Sequence, residues 1–331
     1  MSISRRHLAR LAAGSAASLA AVGAPALAQA PPSRRLARVA FLSSASTADR
    51  PAYHAFRKAL REAGWIEGRN LELTFHFGAG AGQARLEPMA RAIAEAKVDA
   101  VLGDGRVATL AMVAASRTIP IVGIMGVDPV PYGLAQSFTR PGGNITGISV
   151  FSETLNTKRL EVLREIAPGA RRIGVFYGSA GLPPMELTLK TGTALGLDMQ
   201  SLEIRSLDDL EALVGTPRLA EIEAFLVGTD GFFDAVPDRI VGPLNRFSRP
   251  AIYPDRPYVE AGGLAAYGAN YNDVFTRLAG MMDRVLRGDT PSTMPFERPE
   301  RFDLILNQRT ASEARIVFPP LLLAQAREII E

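Results

Sequence analysis

The sequence predicts an α/β protein with two similar doubly wound parallel-sheet lobes joined by crossing hinge strands. The first half alternates short apolar strands with amphipathic helices, a pattern typical of a parallel sheet covered by helices on both faces. The same order of elements begins again near Arg171. Each half ends in an extended segment led by glycines, at Gly142-Gly143 and Gly262-Gly263. We interpret these two segments as crossings between the lobes.

In the first half, the strands are short runs rich in β-branched and aromatic residues. The helices repeat apolar residues at spacings of three and four, as Tyr53, Phe56 and Leu60 do. The predicted strands are 38–42, 70–77, 98–102, 119–125 and the exit strand 145–151, and the predicted helices are 50–63, 83–96 and 107–116.

The second half repeats the first. Residues 171–180 parallel residues 36–45, with an arginine, an apolar strand and a turn of small residues. Six pairings of this kind occur in the same order, which favours an internal repeat over chance. The predicted elements of this half include helices 184–195 and 207–213 and strands 171–177, 223–227 and 261–269.

After the second crossing, the sequence predicts a helix at 272–286, a strand at 301–306 and a terminal helix at 321–330. We expect this tail to return to the first lobe across the hinge. The first lobe would then comprise residues 36–148 with about 270–331, and the second lobe residues 149–269.

Composition describes a globular chain with a large core, since 47% of its 331 residues are hydrophobic and 21% are charged. The formal charge of +3 comes from the first 30 residues, which hold Arg5, Arg6 and Arg10 and no acid. The remaining 34 basic and 34 acidic residues balance. This balance gives no support to binding of nucleic acid or anionic membranes. The chain has no cysteine, which excludes disulfides and thiol chemistry.

The first 30 residues are predicted to be a signal peptide that directs export. Ser4-Arg5-Arg6-His7-Leu8 is a twin-arginine pattern, and a mildly apolar run follows from Leu11 to Val22. Ala28-Gln29-Ala30 provides a small-x-small cleavage site. The apolar run is shorter than the roughly 20 residues that a membrane span needs. We therefore expect a soluble periplasmic protein cleaved near Ala30, exported by the Tat route, with no stable membrane insertion.

Catalytic and metal patterns are absent from the sequence. Beyond the signal peptide, the histidines are only His54 and His76, which argues against a histidine-based metal cluster or catalytic triad. Residues 103–108 fit the relaxed dinucleotide pattern G-x-G-x-x-G/A. They follow the third strand of the lobe, however, whereas the nucleotide fingerprint follows the first. We interpret them as a tight turn that presents a helix N-terminus, and we expect neither cofactor nor metal.

Candidate ligand-binding residues are the polar and aromatic side chains that follow the predicted strands. Ligands of doubly wound proteins bind outside the carboxyl ends of the strands. Hydroxyl groups suit a carboxylate, acidic groups an ammonium, and tyrosines an apolar body. Asp128, in the turn before Pro129 that ends strand 119–125, is the acid we expect to meet an ammonium. The candidates are Ser43, Ser44, Asp104 and Asp128 in the first lobe and Tyr177, Ser179, Thr229, Asp230 and Tyr253 in the second, with Asp255 nearby.

Six segments identify a resemblance to a known family: GWIEGRNLEL, TIPIV, DPVPYGLAQSFTRPGGNITGIS, KRLEVLREIAP, AGGLAAYG and FDLILNQRTA. From Arg38 to Glu331 the chain resembles the ABC transporter substrate-binding family that includes tryptophan- and tyrosine-binding receptors. The resemblance implies the type I periplasmic-binding fold and small ligands, often aromatic amino acids. It also implies that Ser43-Ser44, Asp128 and Thr229-Asp230 face the cleft.

The function we expect is that of an exported receptor, not an enzyme. Hinge closure would trap a small molecule between the lobes, and the partners would be this ligand and the transmembrane subunits of an ABC permease. We expect a monomer. An exported α/β enzyme or a ligand sensor with the same bilobed fold is the alternative. A transcription regulator would need a DNA-binding headpiece where this chain has its export signal.

Overall fold

The computed structural model describes residues 36–45, 49–78, 83–178, 182–234 and 236–331. The predicted signal peptide and the candidate Ser179 lie outside these ranges. Residues 35–331 form one compact unit. Within it, the described strands make two sheets, and each sheet is the centre of one lobe.

The first lobe follows the predicted alternation of strands and helices. Its strands pair in the order β2-β1-β3-β4-β5, all parallel. All five residues of β4 are buried, as expected for a central parallel strand. The elements are β1 (Ala37–Ser43), α1 (Pro51–Glu62), β2 (Leu71–Phe77), α2 (Gln83–Glu95), β3 (Ala100–Asp104), α3 (Arg106–Ala115), β4 (Ile121–Met125) and β5 (Ile145–Ser149).

The second lobe repeats this order, which confirms the predicted fold of two similar lobes. Strands β7-β6-β8-β9-β10 pair in parallel in the same sequence as β2-β1-β3-β4-β5. The elements are α4 (Ser152–Ile166), β6 (Arg172–Tyr177), α5 (Leu182–Ala194), β7 (Asp198–Glu203), α6 (Leu207–Val214), α7 (Pro217–Ala220), β8 (Ala224–Val227), α8 (Gly231–Asp234), α9 (Pro237–Asn245), β9 (Ala251–Tyr253), α10 (Arg256–Glu260) and β10 (Ala265–Ala269).

The tail divides between the lobes, which differs from the expected assignment of 270–331 to the first lobe. Helix α11 (Tyr271–Leu286) packs its apolar face on α1 and the first sheet. The chain then returns, and β11 (Phe302–Asn307) pairs antiparallel with β10 of the second sheet. The remaining elements are α12 (Gln308–Glu313), α13 (Pro320–Gln325) and β12 (Glu328–Ile330).

The predicted terminal helix 321–330 is also corrected. Helix α13 ends at Gln325, and Glu328–Ile330 forms β12 in parallel with β11. Two consecutive isoleucines favour extended backbone, since branching at Cβ restricts the side chain in a helix. The second sheet therefore has two strands more than the first, and one of its pairs is antiparallel.

The glycine pairs begin strands β5 and β10 instead of forming the crossings themselves. The chain passes between the lobes at Val150-Phe151, at Asn270 and at residues 298–301. Two of these crossings touch, because the Arg298 guanidinium lies 4.4 Å from the centre of the Phe151 ring. A cation over an aromatic face is attractive. The lobes are thus joined at the carboxyl ends of β5 and β10, beside the cleft.

Candidate functional site

A cavity lies between the lobes at the carboxyl ends of their strands. It encloses about 810 Å³, its open mouth included. Residues of the first sheet, of α11 and of the helices and the segment after β8 in the second lobe line it, so a bound molecule would contact both lobes. The polar and charged lining residues are Ser43, Ser44, Arg50, Asp104, Arg106, Ser152, Thr229, Asp230 and Asp234, and the apolar and aromatic ones include Val107, Ile124, Met125, Val127, Val150, Pro184, Tyr271 and Phe275.

Five of the predicted site residues line this cavity: Ser43, Ser44, Asp104, Thr229 and Asp230. Parallel pairing explains why they meet. Ser43 and Asp104 are direct partners in the register of β1 and β3. Thr229 and Asp230 directly follow β8, which occupies the corresponding place in the second sheet. These five candidates, chosen because they follow predicted strands, therefore lie together at one cavity.

Asp128, Tyr177 and Tyr253 are not among the residues that line the cavity. Asp128 Oδ1 accepts a hydrogen bond of 2.9 Å from the Val130 N–H, which closes the turn before Pro129. The Tyr177 hydroxyl lies 2.7 Å from Ser201 Oγ on the neighbouring strand β7. Tyr253 is buried and stacks on Tyr258 with ring centres 5.4 Å apart. These three side chains serve a turn, a strand pair and the core.

Asp104 is an acid of the cavity whose carboxylate is held in position by two hydrogen bonds. Ser43 Oγ and the Tyr53 hydroxyl both donate to its Oδ2, over 2.6 and 2.5 Å. Burial, reinforced by the Asp104 carboxylate, raises the pKa of Tyr53, so the phenol keeps its proton. Among the described residues, Oδ1 takes part in no hydrogen bond. Two hydroxyls thus orient the carboxylate and leave one oxygen for a cation.

The backbone around Asp104 brings it to the cavity. Gly105 has φ of 90°, a conformation that favours glycine, and it turns the chain directly from β3 into α3. Its N–H donates to the Ile124 carbonyl at the end of β4. The glycines of this segment therefore serve a sharp turn, in agreement with the interpretation of residues 103–108 as a turn.

Asp230 provides a second acid from the opposite lobe. It is 8% exposed, and its Oδ1 accepts a hydrogen bond of 2.9 Å from the Phe232 N–H. Its carboxylate lies against Gly178, where an added Cβ would come within 2.5 Å of the Asp230 Cγ. Gly178 therefore leaves the space that Asp230 occupies.

Arg50 is a cation that the sequence analysis did not identify. Its guanidinium lies 5.3 Å from the centre of the Tyr53 ring, and Nη1 donates to the Tyr53 hydroxyl over 3.4 Å. Burial acts to lower the pKa of Arg50, but Tyr53 and three carboxylates nearby (Asp234, Asp104 and Asp255) raise it above its usual value. Arg50 is therefore a permanent positive charge between the lobes.

Asp234 and Asp255 form a pair of half-buried acids on the second lobe. The Tyr258 hydroxyl donates to Asp234 Oδ1 over 2.9 Å. Burial raises the pKa of Asp234, against the opposing effect of Arg50. Burial and the neighbouring Asp234 raise the pKa of Asp255 to about 7. The pair thus disfavours two negative charges at neutral pH.

Arg159 lies beneath the second-lobe wall and is 1% exposed. It extends from α4 and donates to the Thr229 hydroxyl after β8, to the Pro254 carbonyl after β9 and to the Tyr267 carbonyl within β10. A fourth bond goes to Asn156 Oδ1. Burial lowers the pKa of Arg159. This arginine fixes the relative positions of β8, β9 and β10 at the cleft.

The sequence contains local signals for Arg50 and Arg159, which the strand-end pattern did not identify. Arg50 directly precedes α1, where a positive charge opposes the helix dipole, so another role for it was indicated. Ser152, Asn156 and Arg159 recur at helical spacing on the buried face of α4. A polar stripe on a buried face requires hydrogen-bond partners in the interior.

The described residues contain neither a membrane-spanning helix nor a cluster of metal ligands. No helix within them combines the length and apolar composition of a membrane span. Nor do they contain a group of three or more histidine, cysteine, aspartate or glutamate side chains arranged to hold a metal ion.

Comparison with known proteins gives similar relatives in sequence and in structure. The tyrosine-binding protein of Clostridioides difficile (strain R20291) is 24% identical over 262 residues, which are 78% of this chain and 75% of that protein. The structure of the ABC domain in complex with L-Trp from Streptococcus pneumoniae matches with a TM-score of 0.80 at 22% identity, covering 89% of this chain and 99% of the other.

A second solved structure has the same fold with a lower similarity. It is the ligand-free, open structure of a substrate-binding protein with adhesive properties from Clostridium difficile, with a TM-score of 0.63 at 22% identity, over 89% of this chain and 99% of the other.

Residues 38–330 match the family described as ABC transporter substrate binding protein. This match spans both lobes and the tail, and the chain belongs to that family of ABC transporter substrate-binding proteins.

Proposed function

We propose that this chain is the exported receptor of an ABC importer and that it binds an amino acid with an apolar or aromatic side chain. The observation that carries the proposal is the combination of an oriented carboxylate, Asp104, with an apolar and aromatic wall in one cavity. Asp104 Oδ1 suits the ammonium of the ligand. Tyr271 and Phe275, with Ile124 and Val150, suit its side chain.

The charge of the cavity supports a zwitterion. Asp104 and Asp230 oppose Arg50 and Arg106 along its walls. Asp234 adds an acid whose pKa is raised by burial. A ligand with one positive and one negative group can pair with both the acidic and the basic side chains of the cavity. An uncharged ligand would leave these charged groups desolvated without a partner.

The arrangement of the lobes supports a closed, ligand-binding conformation. The chain matches the L-Trp complex better than it matches the ligand-free open structure, at the same identity and coverage. In addition, Arg50 of the first lobe approaches Asp255 of the second. We infer that the lobes close on the ligand and open to release it, a hinge motion common in periplasmic receptors.

The family and the predicted signal peptide support a proposal for location and delivery. We propose Tat export to the periplasm, cleavage near Ala30, a monomeric receptor and transfer of the ligand to the transmembrane subunits of a permease. A ligand sensor would bind in the same way, and an exported enzyme would convert its ligand. Recovery of the ligand chemically unchanged after prolonged incubation supports the receptor over the enzyme.

A thermal-shift screen of the mature protein tests the ligand class. The panel should contain the 20 common amino acids, their aromatic decarboxylation products and a set of neutral sugars. Amino acids that raise the melting temperature would then be titrated by calorimetry. Stabilisation by sugars alone would reject the amino-acid proposal.

A further inference from the structure

The Thr229 hydroxyl is a directed hydrogen-bond donor on the second-lobe wall. Arg159 Nη1 lies 3.2 Å from Thr229 Oγ1. Because a guanidinium only donates, Oγ1 is the acceptor in this contact. The hydroxyl therefore keeps its own proton for another partner, and no described residue accepts it. Thr229 lines the cavity, so that proton is available to a ligand.

Arg159 adds a buried positive charge behind this hydroxyl. Its other hydrogen bonds go to neutral oxygens, those of Tyr267, Asn156 and Pro254. None of the ion pairs in the described part of the chain includes Arg159. Asp255 and Asp234 interact with this charge from a distance without forming an ion pair. A buried charge is costly, and a ligand anion nearby lowers that cost.

The N-terminus of α4 also favours negative charge at this wall. Ser152 is the first residue of this 15-residue helix, and both Val150 and Ser152 line the cavity. The N-terminal end of a helix carries partial positive charge. Thr229, Arg159 and α4 therefore favour negative charge at one part of the second-lobe wall, beside the acids Asp230 and Asp234. Asp104 favours positive charge at the wall of the other lobe.

We propose that Thr229, polarised by Arg159, is the carboxylate subsite of the cleft and that the ligand spans it with its ammonium on Asp104 and its carboxylate on Thr229. Arg159 acts as a positioning residue, since it reaches the ligand only through Thr229. The inference rests on the proposed function and adds an orientation to it. It also requires the carboxylate for tight binding, because each lobe binds one of the two charged groups on the Cα of the ligand.

Paired probes with and without a carboxylate test this orientation. L-tyrosine is compared with tyramine, and L-tryptophan with tryptamine, by calorimetric titration of the mature protein. Wild type should prefer each amino acid over its amine. Thr229→Val, which keeps the shape of the side chain and removes the hydroxyl, should weaken amino-acid binding by about tenfold to hundredfold, as expected for a hydrogen bond to a charged group. Amine binding should change by less than about threefold.

Thr229→Ser is the matched control, because serine keeps the hydroxyl and the variant should keep the preference for the amino acid. The melting temperature of each ligand-free variant shows whether the fold is kept. If Thr229→Val weakens the amino acid and the amine equally, the inference is overturned while the proposed function stands. If the thermal-shift panel selects another amino acid, that amino acid and its decarboxylated amine replace these pairs. If wild type binds no amino acid of the panel, the amino-acid proposal fails and the inference fails with it.

Discussion

Arg50 of the first lobe and Asp255 of the second face each other across the cleft, with Arg50 Nη2 and Asp255 Oδ2 4.0 Å apart. Their side chains are 19% and 10% exposed. Asp255 Oδ1 is buried, and no described residue forms a hydrogen bond with it. Burial and Asp234 keep the pKa of Asp255 at about 7 in spite of Arg50 and Arg159. Desolvation therefore outweighs attraction here, and the contact holds the lobes together only weakly.

Asp255→Asn should stabilise the ligand-free protein at pH 8. The unfolded chain loses the Asp255 proton near pH 4, whereas the folded protein keeps it up to about pH 7. The wild-type free energy of unfolding should therefore fall as the pH rises through this window, by roughly a few kcal/mol. Asparagine cannot lose this proton, so the variant should not show the pH-dependent loss of stability. Urea unfolding of both proteins at pH 4, 6 and 8 measures the free energy of unfolding at each pH. An equal loss of stability at all three pH values would show that the pair is instead a stabilising ion pair.

Asp104→Asn should weaken amino-acid binding by about thirty-fold or more. Removing one partner of a buried charge pair costs roughly 2–5 kcal/mol, and each 1.4 kcal/mol corresponds to tenfold in affinity. Calorimetric titration with an amino acid from the thermal-shift screen measures the change.

Asp128→Asn is the matched control for Asp104→Asn, since Asp128 closes a turn beside the cavity lining. We expect its affinity to stay within about threefold of wild type. The reverse result, with Asp128→Asn weak and Asp104→Asn near wild type, would return the ammonium site to Asp128.

Gly178→Ala should weaken ligand binding through Asp230. The new Cβ would lie within 2.5–2.6 Å of the Asp230 carboxyl group, so that short side chain must move. Gly169→Ala is the control, because a Cβ there meets no atom within 4 Å. Calorimetry should give lower affinity for Gly178→Ala and wild-type affinity for Gly169→Ala. Equal affinities in both variants would mean that the position of Asp230 is unimportant for the ligand.

The repeated fold could be predicted because its signals are local. Apolar runs, helical spacing and glycine turns occur in the same order in both halves, and parallel pairing then brings the strand ends together. The placement of β11 and β12 could not be predicted in this way, since it depends on the open edge of β10, far away in the sequence. Helix α9 was missed because Pro243 lies inside it.

The site was predicted only as far as strand ends determine it. Ser43, Asp104 and Thr229 follow from topology. Asp128 also follows a strand, but its carboxylate is used by the Val130 N–H. The polar stripe of α4 indicates that Arg159 needs interior partners, but which groups near β8, β9 and β10 it contacts depends on tertiary packing.

Replacing Arg5 and Arg6 with lysine should leave uncleaved precursor in the cytoplasm. The twin-arginine pattern of residues 4–8 motivates this prediction, because lysine keeps the charge and removes the pairing of arginines. Fractionation followed by immunoblotting measures the exported share. Normal periplasmic protein from the double variant would rule out the Tat route and leave Sec export.

Saturation with an amino acid should make the protein more compact. The crossings at Val150-Phe151, Asn270 and residues 298–301 all lie beside the cleft, so rotation there changes the distance between lobes while each sheet stays intact. The Arg50–Asp255 contact is too weak to hold the lobes closed without ligand. Small-angle scattering of the mature protein should therefore give a larger radius of gyration without ligand, and scattering calculated from the described structure should fit the liganded state better.

Asp104→Asn at the same ligand concentration is the control and should stay expanded. Identical radii for wild type with and without ligand, under saturation confirmed by calorimetry, would reject hinge closure.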